Sequence, residues 1–151
     1  MNVYVDPGVH ASGVAWFDDH ALVHVEYRHA CAPPLIPSYA VDTCVCEIPV
    51  VRRGSRVRPK DLIALAVAAG RVTGCLETRY ITPESWKGQI PCTCTAQLDA
   101  QLSCTHHRRM FAALTESEKR LLFRVGCLPS LLHNVYDAVT MGLKFEGRLR
   151  G

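Results

Sequence analysis

The sequence predicts an α/β domain, and three observations carry that expectation. Alternation of apolar and polar side chains with period two marks three short strands within residues 2–28. Two further apolar runs, at 43–49 and 79–81, flank a helical pattern from Asp61 to about Thr78. A final helical stripe runs from Leu131 to about Leu149, after a stretch of shorter helices.

Bulk properties fit one domain over residues 1–151, long enough to bury roughly 68–70% of its unfolded surface. A hydrophobic fraction of 48% and a charged fraction of 21% are ordinary for a water-soluble globular chain. Net charge is only +3, so nucleic-acid affinity has to come from a local basic patch. No apolar run approaches the roughly 18 residues of a membrane helix, and no basic segment followed by an apolar one opens the chain. A cytoplasmic protein is expected, and its eight cysteines read as thiols or metal ligands rather than as disulfides.

The first strand, Asn2-Val3-Tyr4-Val5-Asp6, stops at Pro7-Gly8, which leaves an acid at its tip. Alone, such an acid only opens a turn. Ser12 to Phe17 and Ala21 to Arg28 follow as strands joined by the polar turn Asp18-Asp19-His20, completing an antiparallel meander. In the third strand, Ala21, Val23, Val25 and Tyr27 are expected on one face and Leu22, His24, Glu26 and Arg28 on the other. Pro33, Pro34 and Pro37 break the pattern, leaving a loop or a short helix near Ser38 to Val41.

Thr43-Cys44-Val45-Cys46-Glu47-Ile48-Pro49 reads as a buried strand with an acid near its end. Burying a carboxylate is costly unless it is hydrogen-bonded, paired or bound to a cation. Arg52, Arg53, Arg56, Arg58 and Lys60 then crowd a Gly-, Ser- and Pro-containing loop. Its arginines suit bidentate contacts to phosphate oxygens.

In the long helix Asp61 can cap the first turn. Ala66, Ala68, Ala69, Gly70 and Gly74 keep its surface small enough for another element or a second subunit to approach closely. Thr82-Pro83 opens a short helix bearing Glu84, Trp86 and Lys87. Residues 91–105 form a polar insertion with Cys92, Cys94 and Cys104, followed by His106 and His107. With one of these histidines the cysteines have the number and type of ligands for tetrahedral zinc, in a spacing unlike a standard finger. The alternative is a surface excursion with free thiols. The remaining cysteines, Cys31, Cys44, Cys46, Cys75 and Cys127, read mostly as core. Further on, Thr115-Glu116-Ser117-Glu118 matches a capping box. On the last helix His133 and Asn134 lie one turn before Asp137 and point to nearly the same side.

Asp6, Glu47, Asp137 and His133 are ligands of the kind that hold Mg²⁺ or Mn²⁺. Two such ions roughly 3.5–4 Å apart hydrolyse phosphodiesters. The order of elements is that of the ribonuclease H-like fold.

The chain resembles the RuvC family of Holliday junction resolvases, in particular the compact versions found in bacteriophages. The likeness rests on Val-Tyr-Val-Asp-Pro-Gly at 3–8, Cys-Glu-Ile-Pro at 46–49, Ile-Thr-Pro-Glu-Ser-Trp-Lys-Gly at 81–88 and His-Asn-Val-Tyr-Asp-Ala at 133–138. It implies a mixed five-stranded sheet, three strands antiparallel and two parallel, flanked by helices. It also implies a homodimer that binds four-way DNA junctions, each subunit nicking one strand by Mg²⁺-dependent hydrolysis with Mn²⁺ able to substitute. Asp6, Glu47 and Asp137 would be metal ligands, while Lys87 and the arginines of 52–58 would contact the DNA backbone. Relatives commonly carry a carboxylate three residues before the last Asp, where this chain has Asn134. His133 therefore takes the fourth role, as metal ligand or water-orienting base, with Asn134 as the alternative. The 92–104 insertion has no counterpart in that pattern. Two other functions stay open: a nuclease of the same superfold acting on RNA–DNA hybrids or structured RNA, and a junction-binding module that no longer cuts.

Overall fold

Strand β1 (Asn2–Asp6) is the middle strand of a five-stranded sheet ordered β3-β2-β1-β4-β5. The computed structural model of the protein describes residues 1–35, 40–50, 58–74, 76–87, 105–126 and 132–149. Strands β2 (Ala11–Asp18) and β3 (Ala21–His29) complete an antiparallel meander with β1. On the other side β4 (Thr43–Glu47) and β5 (Thr78–Ile81) run parallel to β1. The sheet is therefore mixed, as expected, and the chain is α/β.

Register decides where the acids go. Tyr4 pairs with Val45 and Val5 with Cys46, so Asp6 and Glu47 follow as neighbours at the same end of the sheet. Because side chains alternate faces, Tyr4, Asp6, Val45 and Glu47 share one face while Val3, Val5, Cys44 and Cys46 share the other. The second face is covered by α1 (Pro59–Thr73), with Val14, Trp16, Ala69 and Val72 in one apolar cluster. The first face is covered by α3 (Thr105–Ala113), α4 (Glu116–Phe123) and α5 (Leu132–Phe145), which pack Met110, Leu122, Val135 and Val139 against Tyr4 and Phe17.

Helix α5 lies close against β2 because two glycines allow it. A Cβ on Gly13 would fall 2.1 Å from the Asn134 carbonyl oxygen, and one on Gly142 would fall 2.2 Å from the Phe17 ring. Helix α4 starts with the expected capping box. Thr115 Oγ1 accepts from the Glu118 amide at 3.3 Å, and Glu118 Oε2 accepts from the Thr115 amide at 2.7 Å. Glu118 is itself buried and also takes the Leu22 amide at 2.8 Å and Arg148 Nη2 at 2.8 Å.

Several expectations are corrected. In β3 the register shifts between Trp16 and Phe17, so Trp16 pairs with His24 and Phe17 with Leu22. That bulge breaks the simple alternation: Leu22 and Val25 are both buried in the same core, and Val23 is exposed. Helix α1 begins earlier than Asp61, with Pro59 in its first turn, and Asp61 pairs with Arg58 at 2.8 Å instead of capping. It ends at Thr73 rather than Thr78, because Gly74 turns the chain with φ of 56° and Thr78 is already paired to Cys44 in the sheet. Helix α5 stops at Phe145, before Leu149, and Gly147 follows with φ of 74°. Cys44 and Cys46 are core residues, whereas Cys31 is exposed. Among the described residues no helix is long and apolar enough to cross a membrane.

Candidate metal centre

Three elements deliver three carboxylates to one place. Asp6 ends β1 and Glu47 ends β4, side by side, and Asp137 comes from α5 above them. Asp6 and Asp137 are buried, and the Glu47 side chain is largely so. Helix α2 (Pro83–Lys87) starts just after β5, whose Ile81 pairs with Glu47, so its last residues reach over the same spot. Trp86 Nε1 donates to Glu47 Oε2 at 2.7 Å and fixes that carboxylate. Lys87 Nζ lies 2.7 Å from Asp137 Oδ2 and 3.3 Å from Glu47 Oε2.

Charge is unbalanced here: three carboxylates face one ammonium. Burial pushes Asp6 well above the ordinary carboxylate range, and the charges of Asp137 and Glu47 add to it against the pull of Lys87. Glu47 is raised by burial, with Lys87 opposing and Asp137 reinforcing. Burial works against Lys87 too, yet Asp137, Asp6 and Glu47 together raise its pKa and keep it charged. Asp137 goes the other way. Burial disfavours its charge, but the imidazoles of His106 and His107, the charge of Lys87 and, at the acid pH where Asp137 titrates, the charge of His133 hold its carboxyl well below the usual range. A pocket that raises two of its three acids above the ordinary carboxylate range is short of positive charge, which fits a divalent cation.

Two histidines of α3 complete the surroundings. His107 is fully buried, with Nε2 3.2 Å from Asp137 Oδ1, and His106 Nε2 is 3.5 Å from the same oxygen. These three donor atoms lie within 4.8 Å of one another, so His106, His107 and Asp137 could hold a metal ion. On the opposite carboxylate oxygen, His133 Nε2 lies 3.3 Å from Oδ2. Burial lowers the His133 pKa despite the nearby Asp137 charge, so its imidazole is neutral near pH 7.

The structure thus brings Asp6, Glu47, His133 and Asp137 together as expected. It adds Lys87, expected at the DNA backbone, whose ammonium is engaged by Asp137 and Glu47. Asn134, the alternative to His133, is turned elsewhere: its Nδ2 donates to the Ala11 carbonyl at 2.7 Å and ties α5 to β2. His106, an expected zinc ligand beside the cysteines, faces Asp137, while Cys92, Cys94 and Cys104 lie outside the described residues. So do Arg52, Arg53 and Arg56; Arg58 and Lys60 are exposed at the start of α1. His107 and Trp86 were not singled out for this site. The adjacent histidines were visible as a pair, but nothing local linked them to an acid thirty residues later.

Comparison with protein-family models, with curated proteins and with solved structures finds no match to this chain.

Proposed function

We propose that the protein is a metal-dependent endonuclease of the RuvC type, with a ribonuclease H-like fold, that nicks four-way and other branched DNA junctions as a homodimer. One observation carries the reading: Asp6 and Glu47, placed side by side by parallel strands, meet Asp137 from α5 around a single ammonium. The strand order, three antiparallel and two parallel, supports the fold assignment.

Asp6, Glu47 and Asp137 would hold Mg²⁺, or Mn²⁺ in its place. When bound, such ions supply an activated water and charge neutralisation at the scissile phosphate. The chain's own groups do the rest. Trp86 keeps Glu47 oriented through its indole N–H. His133, neutral and partly exposed, takes the proton of the attacking water. Water adds at phosphorus, the bond to the 3′ oxygen breaks, and that oxygen takes a proton from solvent. The products are a 5′-phosphate and a 3′-hydroxyl. Lys87, screened by Asp137 until the substrate arrives, offers its charge to a phosphate oxygen. Arg58 and Lys60, with the arginines before them, supply backbone affinity independent of sequence. Pairing of two copies would use α1, where Ile63 and Val67 are exposed beside small residues.

Lys87 also favours a second reading, a junction-binding module that does not cut, since its ammonium already neutralises Asp137. The test is nicking of a synthetic four-way junction in Mg²⁺ or Mn²⁺, beside linear duplex and RNA–DNA hybrid. Paired nicks in the junction alone, lost in Asp6→Asn, are expected. Cutting of the hybrid instead moves the substrate to RNA–DNA, and binding without cutting by both proteins leaves the non-cutting module.

A further inference from the structure

Asp137 is a carboxylate with two occupied sides. Its Oδ2 faces Lys87 and His133, at 2.7 and 3.3 Å. Its Oδ1 faces the two α3 imidazoles, His107 at 3.2 Å and His106 at 3.5 Å. The Lys87 side needs nothing more to neutralise the acid, and one imidazole N–H satisfies Oδ1. The second imidazole is then superfluous as a hydrogen-bond partner. His106 is 9% exposed, and its buried Nε2 lies 3.5 Å from Asp137 Oδ1 without the geometry of a hydrogen bond. Buried polar atoms without a partner are rare in folded proteins and call for an explanation.

We propose that His106 Nε2, His107 Nε2 and Asp137 Oδ1 form a site for one imidazole-preferring divalent transition-metal ion, of the class of Zn²⁺ and Co²⁺. The donor set is the reason for that class. Neutral imidazole suits the later first-row ions, whereas Mg²⁺ selects oxygen donors and holds its water. Three protein donors leave coordination positions open, as in catalytic rather than structural zinc sites. The ring packing fits a positioned ligand pair. His106 lies 5.4 Å from the Trp86 ring, and His107 sits edge-on to Tyr136 at 5.3 Å and to His133 at 5.9 Å. The site shares Asp137 with the nuclease reading but does not require it, and it leaves Lys87 and the Asp6–Glu47 pair undisturbed on the other side.

The experiment titrates Co²⁺ into the metal-free full-length protein. One equivalent should bind with the visible absorption of nitrogen-ligated Co²⁺. Zn²⁺ should displace it, and a large excess of Mg²⁺ should not. His106→Gln should weaken binding by about 100-fold or more, at or beyond the upper end of what losing a supporting group costs a metal site. Glu47→Gln should leave Co²⁺ affinity unchanged. Since ligand variants of a buried cluster are prone to misfold, the wild type gives a second reading. With histidine ring nitrogens labelled, Zn²⁺ should give the Nε2 resonances of His106 and His107 the large shift of direct coordination, and Mg²⁺ should give at most the small shift of a neighbouring charge. Displacement of Co²⁺ by Mg²⁺, equal affinity in folded His106→Gln, loss of binding in Glu47→Gln or unmoved Nε2 resonances each overturn the proposal. Junction cleavage in Mg²⁺ by a protein lacking the Co²⁺ site removes this inference and keeps the nuclease. A Co²⁺ site in a protein that never cuts does the reverse.

Discussion

Lys87 and Asp137, fifty residues apart, form the buried ion pair around which the site is balanced, Nζ to Oδ2 at 2.7 Å. The ammonium is also 3.3 Å from Glu47 and lies 4.7 Å over the Trp86 ring. Removing it strands Asp137 and Glu47 without a permanent positive partner. Lys87→Met should therefore cost the metal-free protein about 3–5 kcal/mol, as breaking one side of a buried pair does. Divalent ions should restore more of that loss than they add to wild type. Thermal unfolding with and without Mg²⁺ reads both effects.

Asp6 works against stability in the metal-free protein, because burial and two neighbouring acids disfavour its charge. Asp6→Asn should raise metal-free stability at pH 7, because the amide carries no charge for burial and the neighbouring acids to disfavour. The same variant should lose the stabilisation that Mg²⁺ gives wild type. Urea unfolding in the two conditions checks it, and equal destabilisation in both would be against it.

Asn134 ties α5 to β2 through the Ala11 carbonyl. Asn134→Asp puts back the carboxylate that RuvC relatives commonly carry here, but it removes the donor and aims an anion at that carbonyl. A loss of about 1–3 kcal/mol is expected, the cost of an unsatisfied buried group. Gain of junction cleavage is not. Chemical denaturation and the nicking assay read the two halves separately.

Glu118 makes stability depend on pH in the acid range. Burial would raise its pKa, yet hydrogen bonds from Arg148, Thr115 and Leu22 lower it to about 2. A depressed carboxyl contributes stability above its unfolded pKa and loses it as pH falls toward the folded value. Wild type should thus weaken from roughly pH 4.3, the ordinary Glu value, down to about 2. Glu118→Gln should cost about 1–3 kcal/mol at neutral pH and flatten the curve over that acid range. Unfolding followed across the acid range tests the slope.

The strands and the acids at their tips were legible because period two and a terminating Pro-Gly are local signals. Which face Asp6 and Glu47 share follows from the parallel register of β1 and β4, which no local signal marks. The face of Leu22 was not legible, since one bulge in β3, opposite Trp16 and Phe17, reverses it without any mark in the sequence of that strand. Lys87 is expected at the DNA backbone by the RuvC resemblance, because nothing between residues 47 and 137 reveals that α2 ends between the two acids. His106 and His107 were grouped with the nearby cysteines for the same reason: sequence neighbours are visible, and partners across the fold are not. Asn134 looked like a weakened ligand, and only the close approach allowed by Gly13 explains its other task.

The Trp86 indole touches both halves of the centre, donating to Glu47 and lying against His106. The second tryptophan, Trp16, is in the apolar layer on the far side of the sheet. The molecule therefore carries its own optical reporter. Changes in tryptophan emission when an ion arrives will come from the side of the sheet where Glu47 and His106 meet, and the response in a Trp16→Phe background will follow occupancy without any added label.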